Sequence, residues 1–506
     1  MRHTLLMLSM VSGLAAAPVT AFADPPRVLH VGLQEDPDIL DPTLGGSFVG
    51  RIVFSGMCDK LFDYDTSLNI VPRLATSYTY QDPTHLILHL RSGVLFQDGE
   101  KFDADAVKYT LNRDLTMPRS LRRGEINDIQ SVEVIDPLTV ELVLKAPNSA
   151  LLAQLADRAG IIIAPQAAAA EGANFGLHPV CAGPFSFVQR VPGQKIVLKK
   201  FPGYWDAKDI HFDEVDYMPF VNSAVGVANL RAGQVDLLSW VLPTDVATIK
   251  RDPKLQVASV TSLANVALYL NVANGPASQS PIGQNAALRR AFDLALDRTA
   301  LINVVYNGLY APIAQANSPS SRFYVPSIVP PKTDLAAARQ LVAASGVKTP
   351  IAVTMLVPNS PDLLQAAQVI QAMEQPAGFE VKIQAMEFAS SLATARSGDF
   401  QTYMILWSGR ADADGNMYSS LHGGYGFNYG HYDNKQVDAL LDQARVTESV
   451  ADRTALYAKL WEIERQDLPV LYLWSPDNIV GLKKTLLGFK QVPDGMIRLQ
   501  GMHFAG

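Results

Sequence analysis

The sequence predicts an α/β fold of two lobes joined by a hinge, with an extra β-rich domain inserted in the first lobe. Three observations carry this expectation. From about Gly183 onward, short β-branched apolar runs alternate with segments of helical periodicity, the pattern of a layered α/β architecture. From Leu61 to about Val180 the pattern changes to short strands and turns. Two strongly apolar strands, Val266 to Asn271 and Pro469 to Trp474, read as crossings between lobes that together form a hinge. The resulting division is 24–60, 176–263 and 477–506 for the first lobe, 61–175 for the β-rich domain and 264–476 for the second lobe, with 1–23 as a leader. At 506 residues the chain is long enough for such a layout, at roughly 100 to 200 residues per domain.

The elements follow in order. Val28 to Leu33 is short, apolar and β-branched, a buried strand that opens the first lobe. Two Asp-Pro steps, Asp36-Pro37 and Asp41-Pro42, turn the chain before a helical stretch from Ser47 to Asp59. In the inserted domain His85 to Leu90 is a strand. Asp103 caps a helix over Ala104 to Arg113, and Val132 to Ile135 forms a hairpin with Thr139 to Leu144 across Asp136-Pro137-Leu138. Back in the first lobe, Ile196 to Leu198, Val215 to Tyr217 and Val235 to Leu238 are strands, and Ala224 to Ala232 is a helix. The second lobe has helices at Ala287 to Leu296, Asp334 to Ala344, Pro361 to Gln375 and Ala451 to Asp467. Its strands include Ile351 to Leu356, Val381 to Ala385 and Tyr403 to Leu406.

Composition sets the compartment and excludes some partners. Arg2, the apolar run Leu5 to Ala17 and the small-residue triplet Ala21-Phe22-Ala23 before Asp24 make a secretory signal peptide, so the mature chain is expected in the periplasm. The formal charge is −7 with no basic block, which argues against nucleic acid. Cys58 and Cys181 are the only cysteines, and an even pair in an oxidising compartment is expected to bond; two separate buried thiols are the alternative.

Several short elements then appear in a fixed order: Pro72 to Tyr78, Leu90 to Gly99, Ala182 to Phe185, Tyr204-Trp205, Leu230 to Asp236, and Leu288 to Phe292 with Leu296 to Arg298. Together they resemble solute-binding family 5 of ABC importers, the dipeptide-, oligopeptide- and nickel-binding periplasmic proteins, whose members also take glutathione or opines. The segment Trp407 to Asn416 is similar to a W-S-G-R-x-D-x-D-G-N subfamily of it, with Ala413 where that subfamily places proline. The resemblance implies a periplasmic-binding-protein type II-like fold. It implies an ABC-importer component that captures a small peptide or peptide-like solute in an inter-lobe cleft and hands it to an inner-membrane permease. A monomer without cofactor, metal or enzymatic activity is expected. Most signature residues have structural work of their own: Asp98-Gly99 is a turn pair, and Arg289 and Asp297 suit ion pairing. Cys58 and Cys181 sit at conspicuous places in the motif order, which favours their pairing.

The candidate ligand-binding residues are Trp407, Ser408, Gly409, Arg410 and Asp412, with Tyr269 and Asn271 from the hinge strand and Phe48 after the Gly45-Gly46 pair. The first five follow a strand, and ligands gather at the carboxyl ends of strands in α/β folds. By the resemblance, Asp412 pairs with a ligand ammonium group. Arg410 suits a carboxylate or phosphate clamp and Trp407 a stacking surface. Asp414, by contrast, reads as a turn residue, and D-x-D-G-N lacks the terminal Glu of a calcium loop.

The alternatives are an opine or sugar-phosphate held by Arg410, a nickel-type metal chelate at His422 and His431, or a secreted hydrolase. The last is poorly supported, since Gly46 to Gly50 does not fit G-x-S-x-G and no H-E-x-x-H or Cys/His cluster occurs.

Overall fold

The computed structural model describes residues 26–424 and 426–506, so the expected leader lies outside the described residues. Two large sheets organise the chain. The seven-stranded one runs in the spatial order Leu255–Thr261, Asp477–Lys483, Leu237–Leu238, Val28–Leu33, Glu214–Pro219, Lys195–Lys200, Phe185–Val191. Val28–Leu33 lies parallel to both of its neighbours, Glu214–Pro219 and Leu237–Leu238, so these three strands end on the same edge. The helix Phe48–Met57 packs its apolar face into this sheet's core. Its N-cap Ser47 accepts from the Gly50 amide at 3.1 Å, and at its far end Cys58 is bonded to Cys181, as the cysteine count anticipated.

The six-stranded sheet runs Ala311–Pro312, Val470–Ser475, Asn265–Leu270, Thr402–Trp407, Ile351–Pro358, Phe379–Met386. Here the expected crossings need correction. Asn265–Leu270 and Val470–Ser475 pair with each other in the middle of this sheet and never leave the second lobe. Val266, Leu268 and Leu270 enter the core on one face, Ala267 and Tyr269 the core on the other. A strand buried on both faces is an unbroken apolar run, which in sequence cannot be told from an apolar connector. The true crossings are segment 262–264, after Leu255–Thr261, and Pro476, before Asp477–Lys483. They are tied together: the Ser262 hydroxyl donates to the Pro476 carbonyl, and the Ser262 carbonyl accepts from the hydroxyls of Ser318 and Ser320, each at 2.7 Å.

Inserted in sequence between two strands of the seven-stranded sheet, Val28–Leu33 and Phe185–Val191, is a four-stranded antiparallel sheet, Ala75–Asp82, His85–Leu90, Thr139–Leu144, Ile129–Asp136, with its own core. The hairpin formed by the last two strands has the register Val134 opposite Val140. This region is more helical than its strand-and-turn pattern suggests. Beside Ala104–Thr116, capped by Asp103, it holds Arg123–Ile126, Leu151–Leu155 and Pro165–Glu171. The alanine run Ala167 to Ala170 accounts for the last, since alanine is the strongest helix former and Pro165 starts the helix.

Candidate functional site

A cavity of about 730 Å³ opens between the lobes, lined by residues of both. Its walls are strand ends and the first residues beyond them. Gln34, Glu35 and Asp36 come after Val28–Leu33, and Trp240 after Leu237–Leu238. Asn359, Ser360 and Asp362 come after Ile351–Pro358, and Trp407 and Ser408 close Thr402–Trp407. Strand ends collect ligands because the chain leaves the sheet there, so backbone and side chains are free to face a crevice. Phe48, Phe388, Phe427 and Tyr429 add aromatic surface.

Of the residues expected from sequence, Trp407, Ser408 and Phe48 line this cavity. The Trp407 indole is fixed from behind, its Nε1 donating to Asn416 Oδ1 at 3.0 Å and its ring meeting Phe427 edge-on at 4.9 Å. Ser408 Oγ accepts from two guanidinium groups, Arg51 Nη1 at 3.2 Å and Arg410 Nη1 at 3.1 Å. A hydroxyl has two acceptor sites and one proton. With both acceptor sites taken, the Ser408 proton is left to donate.

The other five do not line it. Gly409 lies against the hinge instead: at φ +73° its Cα approaches so closely that a Cβ would stand 2.1 Å from the Leu263 carbonyl oxygen. Arg410 is buried, with Nε 2.8 Å from Asp157 Oδ2 and its Cζ 4.8 Å from the Trp407 ring centre. Burial, against the pull of Asp157 and with help from the neighbouring Arg51, lowers its guanidinium to about 10, so it stays charged. Asp412 is gripped by Arg453 at 2.9 and 2.5 Å and accepts from the Asp414 amide. Tyr269 is packed edge-on to Tyr429 in the core, and Asn271 donates to the carbonyls of Asn274, Gly398 and Phe400.

The turn after Thr402–Trp407 is thus a structural knot. Asn416 accepts from the Arg410 amide at 2.6 Å and donates back to the Arg410 carbonyl at 3.0 Å, closing the loop on itself. Asp414, expected to serve only the turn, receives Arg445 Nε and Nη2 at 2.8 Å each and Gln154 Nε2 at 3.0 Å. His422, which pairs with Asp438 and Asp442, and His431 are likewise absent from the lining.

Sequence reasoning missed the acidic side of the cavity. Among the described lining residues, Glu35, Asp36, Asp245, Asp362 and Glu387 are acidic, and none is Lys, Arg or His. Asp36 is paired with Arg190 at 3.0 Å, and Asp245 accepts from the Ser223 hydroxyl. Burial raises the Glu35 carboxyl to about 8, with Asp38, Glu387 and Asp362 adding repulsion against Gln34's stabilising hydrogen bond. Burial raises Asp362 as well. The signal was available: the strand-end rule applied to Tyr403–Leu406 applies equally to Val28–Leu33 and Ile351–Leu356.

Residues 69–450 match the family described as bacterial extracellular solute-binding proteins, family 5 Middle. The chain is 29% identical to the glutathione-binding protein GsiB of Salmonella paratyphi A, over 97% of this chain and 96% of that one. It is 28% identical to GsiB of Pectobacterium atrosepticum over 99% and 98%. Among solved structures it is similar to the binding protein AgaA of A. tumefaciens in complex with agropinic acid, with 27% identity, TM-score 0.86 and coverage of 95% and 99%. DppA of Helicobacter pylori, solved with the peptide STSA, shares the fold at 24% identity and TM-score 0.87, covering 95% and 98%. Among the described residues no helix is long and apolar enough to cross a membrane. With the strand-end cavity between two lobes and a family match over most of its length, this chain belongs to the bacterial extracellular solute-binding proteins of family 5.

Proposed function

We propose that this protein is the periplasmic substrate-binding component of an ABC importer. It captures a small peptide or peptide-like solute between its lobes and delivers the solute to an inner-membrane permease. One observation carries the reading: a cavity of about 730 Å³ at converging strand ends, large enough for a few residues of extended peptide and walled on one side by Trp407 and Ser408. The immobilised indole is a flat surface for a peptide plane or side chain, and the Ser408 hydroxyl is a donor for a carbonyl. Phe48 contributes apolar surface from the first lobe. Closure about the tied crossings at Ser262 and Pro476 expels water, and the solute biases that equilibrium through contacts made to both lobes.

Support for peptide-like solutes comes from relatives named for glutathione and a structural neighbour holding a tetrapeptide. The phosphate-clamp reading has lost its residue, because Arg410 is committed to Asp157 and Ser408. The test is native mass spectrometry of protein freshly purified from periplasm, followed by calorimetry with whatever small molecule is released. A peptide-like adduct whose affinity collapses in Trp407→Ala supports the reading. A carbohydrate or metal-complex adduct, or turnover of a bound peptide, defeats it.

A further inference from the structure

Among the described residues, no Lys, Arg or His lines the cavity that carries the acidic side chains, although Asp36 is paired with Arg190 from outside the lining. Glu35 and Asp362 come from different lobes, at the ends of Val28–Leu33 and Ile351–Pro358; both line the cavity, and Asp362 adds a small repulsion at Glu35. Behind Asp362 stand two tyrosines in contact, their ring centres 4.6 Å apart. The Tyr306 hydroxyl donates to Asp362 at 3.4 Å. Tyr310 is 5% exposed and lines the cavity, yet its hydroxyl has no hydrogen-bond partner.

At several helix N-termini on the cavity the place an anion would take is held by the protein's own groups. Helix N-termini attract negative charge through their free amides. At the cavity, Glu387 accepts from the Ala389 and Ser390 amides, Asn222 from those of Ala224 and Val225, and Asp362 occupies the first turn of Pro361–Glu374. Arg51 and Arg410, behind Ser408, are turned onto Asp157, Ser408 and the Gly409 carbonyl, while Arg396 approaches the lining at Gly46.

Resting on the reading of this cavity as the solute site, we infer that Glu35 and Asp362, backed by Tyr306 and Tyr310, form a subsite for a positively charged group of the solute, an amine or a guanidinium. Two carboxyls lining one cavity resist ionising together, and a cation placed between them removes that conflict. Half-buried Phe388 and Trp240 offer ring faces that also attract a cation. The raised Glu35 and Asp362 carboxyls are what such a subsite shows before its counter-charge arrives. The role that the loop pattern suggested for Asp412 is thereby assigned to the opposite wall.

The test compares N-acetylated, arginine-containing dipeptide amides with their citrulline counterparts, nearly the same in shape and uncharged, by calorimetry on the full-length protein. The charged members are expected to bind at least tenfold tighter, and Asp362→Asn and Glu35→Gln should each shrink that preference at least threefold. Glu35→Gln serves as the second variant because its carboxyl caps no helix. Equal binding of charged and neutral members, or a preference untouched in both variants, overturns the inference while leaving the cavity a solute site. Failure of the underlying reading looks different: the wild-type protein then binds no member of either set, and the inference falls with it.

Discussion

Asp412 and Arg453 meet in a two-bond fork, both side chains buried and Arg453 also reaching the Tyr457 hydroxyl at 3.1 Å. The pair joins the turn after Thr402–Trp407 to the helix Val450–Asp467, so it positions Trp407 and Ser408 without touching the cavity. Removing one partner of a buried pair strands the other charge, at about 3 to 5 kcal/mol. Asp412→Ala is therefore expected to lose about that much stability in urea unfolding. Protein that remains folded should keep its calorimetric affinity within a few-fold; a selective loss of affinity with unchanged stability would return Asp412 to the site.

Ser408→Ala should weaken a peptide-like solute by roughly 0.5 to 1.5 kcal/mol, one hydrogen bond's worth. It also leaves Arg51 and Arg410 with one acceptor fewer, so the unfolding midpoint is expected to fall slightly as well. Calorimetry and denaturant melts on the same preparation separate the two effects.

Glu35 gives a pH dependence with a definite sign. The groups facing it are Gln34 beside it, Asp38 on the following loop, Asp362 and Glu387 from the second lobe, with Arg396 approaching Gly46 beside Asp38. Its carboxyl is raised from 4.5 to about 8, so the folded empty protein holds a proton that the unfolded chain releases. That contribution to stability is present at low pH and is lost as pH climbs from about 4.5 to 8. Binding a guanidinium ionises Glu35 and expels the proton, so affinity for N-acetyl-arginine amide should rise with pH between about 6 and 8, then level off. Calorimetry in buffers of different ionisation enthalpy should register close to one proton released at pH 7. Uptake of protons, or none, contradicts the assignment.

Cys58 and Cys181 close a loop of 123 residues around the inserted domain. Loop-closure entropy puts the bond at about 4 to 5 kcal/mol of stability. Unfolding of the Cys58→Ala, Cys181→Ala double variant measures it, and a change below about 1 kcal/mol would mean that the surrounding packing already supplies the restraint.

Most of the secondary structure was legible because periodicity is local: Val28–Leu33 and His85–Leu90 occur where their apolar runs stand, and Asp103 and Ser47 cap the helices they precede. The hinge was not, because Val266 and Leu268 are apolar for a core on one face and Ala267 and Tyr269 for a core on the other, and that signal carries no information about which lobe owns it. The site was legible in part. Trp407, Ser408 and Phe48 are found from a strand end and a glycine pair. Arg410 and Asp412 have the chemistry of ligand clamps but spend it on Asp157 and Arg453, partners 253 and 41 positions away that no local pattern connects. Glu35 and Asp362 were invisible for the converse reason, being ordinary acids whose meaning arises only when two strand ends from separate lobes converge.

Arg445 fastens the second lobe to the inserted domain: besides Asp414 it donates to the Gly124 carbonyl, Asn127 and Asp128, while its own carbonyl accepts from Ser149. Widening the gap must either undo this latch or drag the inserted domain along with the second lobe. If it is undone, every increment of its strength enlarges the shut fraction of molecules, and so tightens the hold on any passenger by one common factor. A residue that never meets the cargo would then set how hungry the whole receptor is.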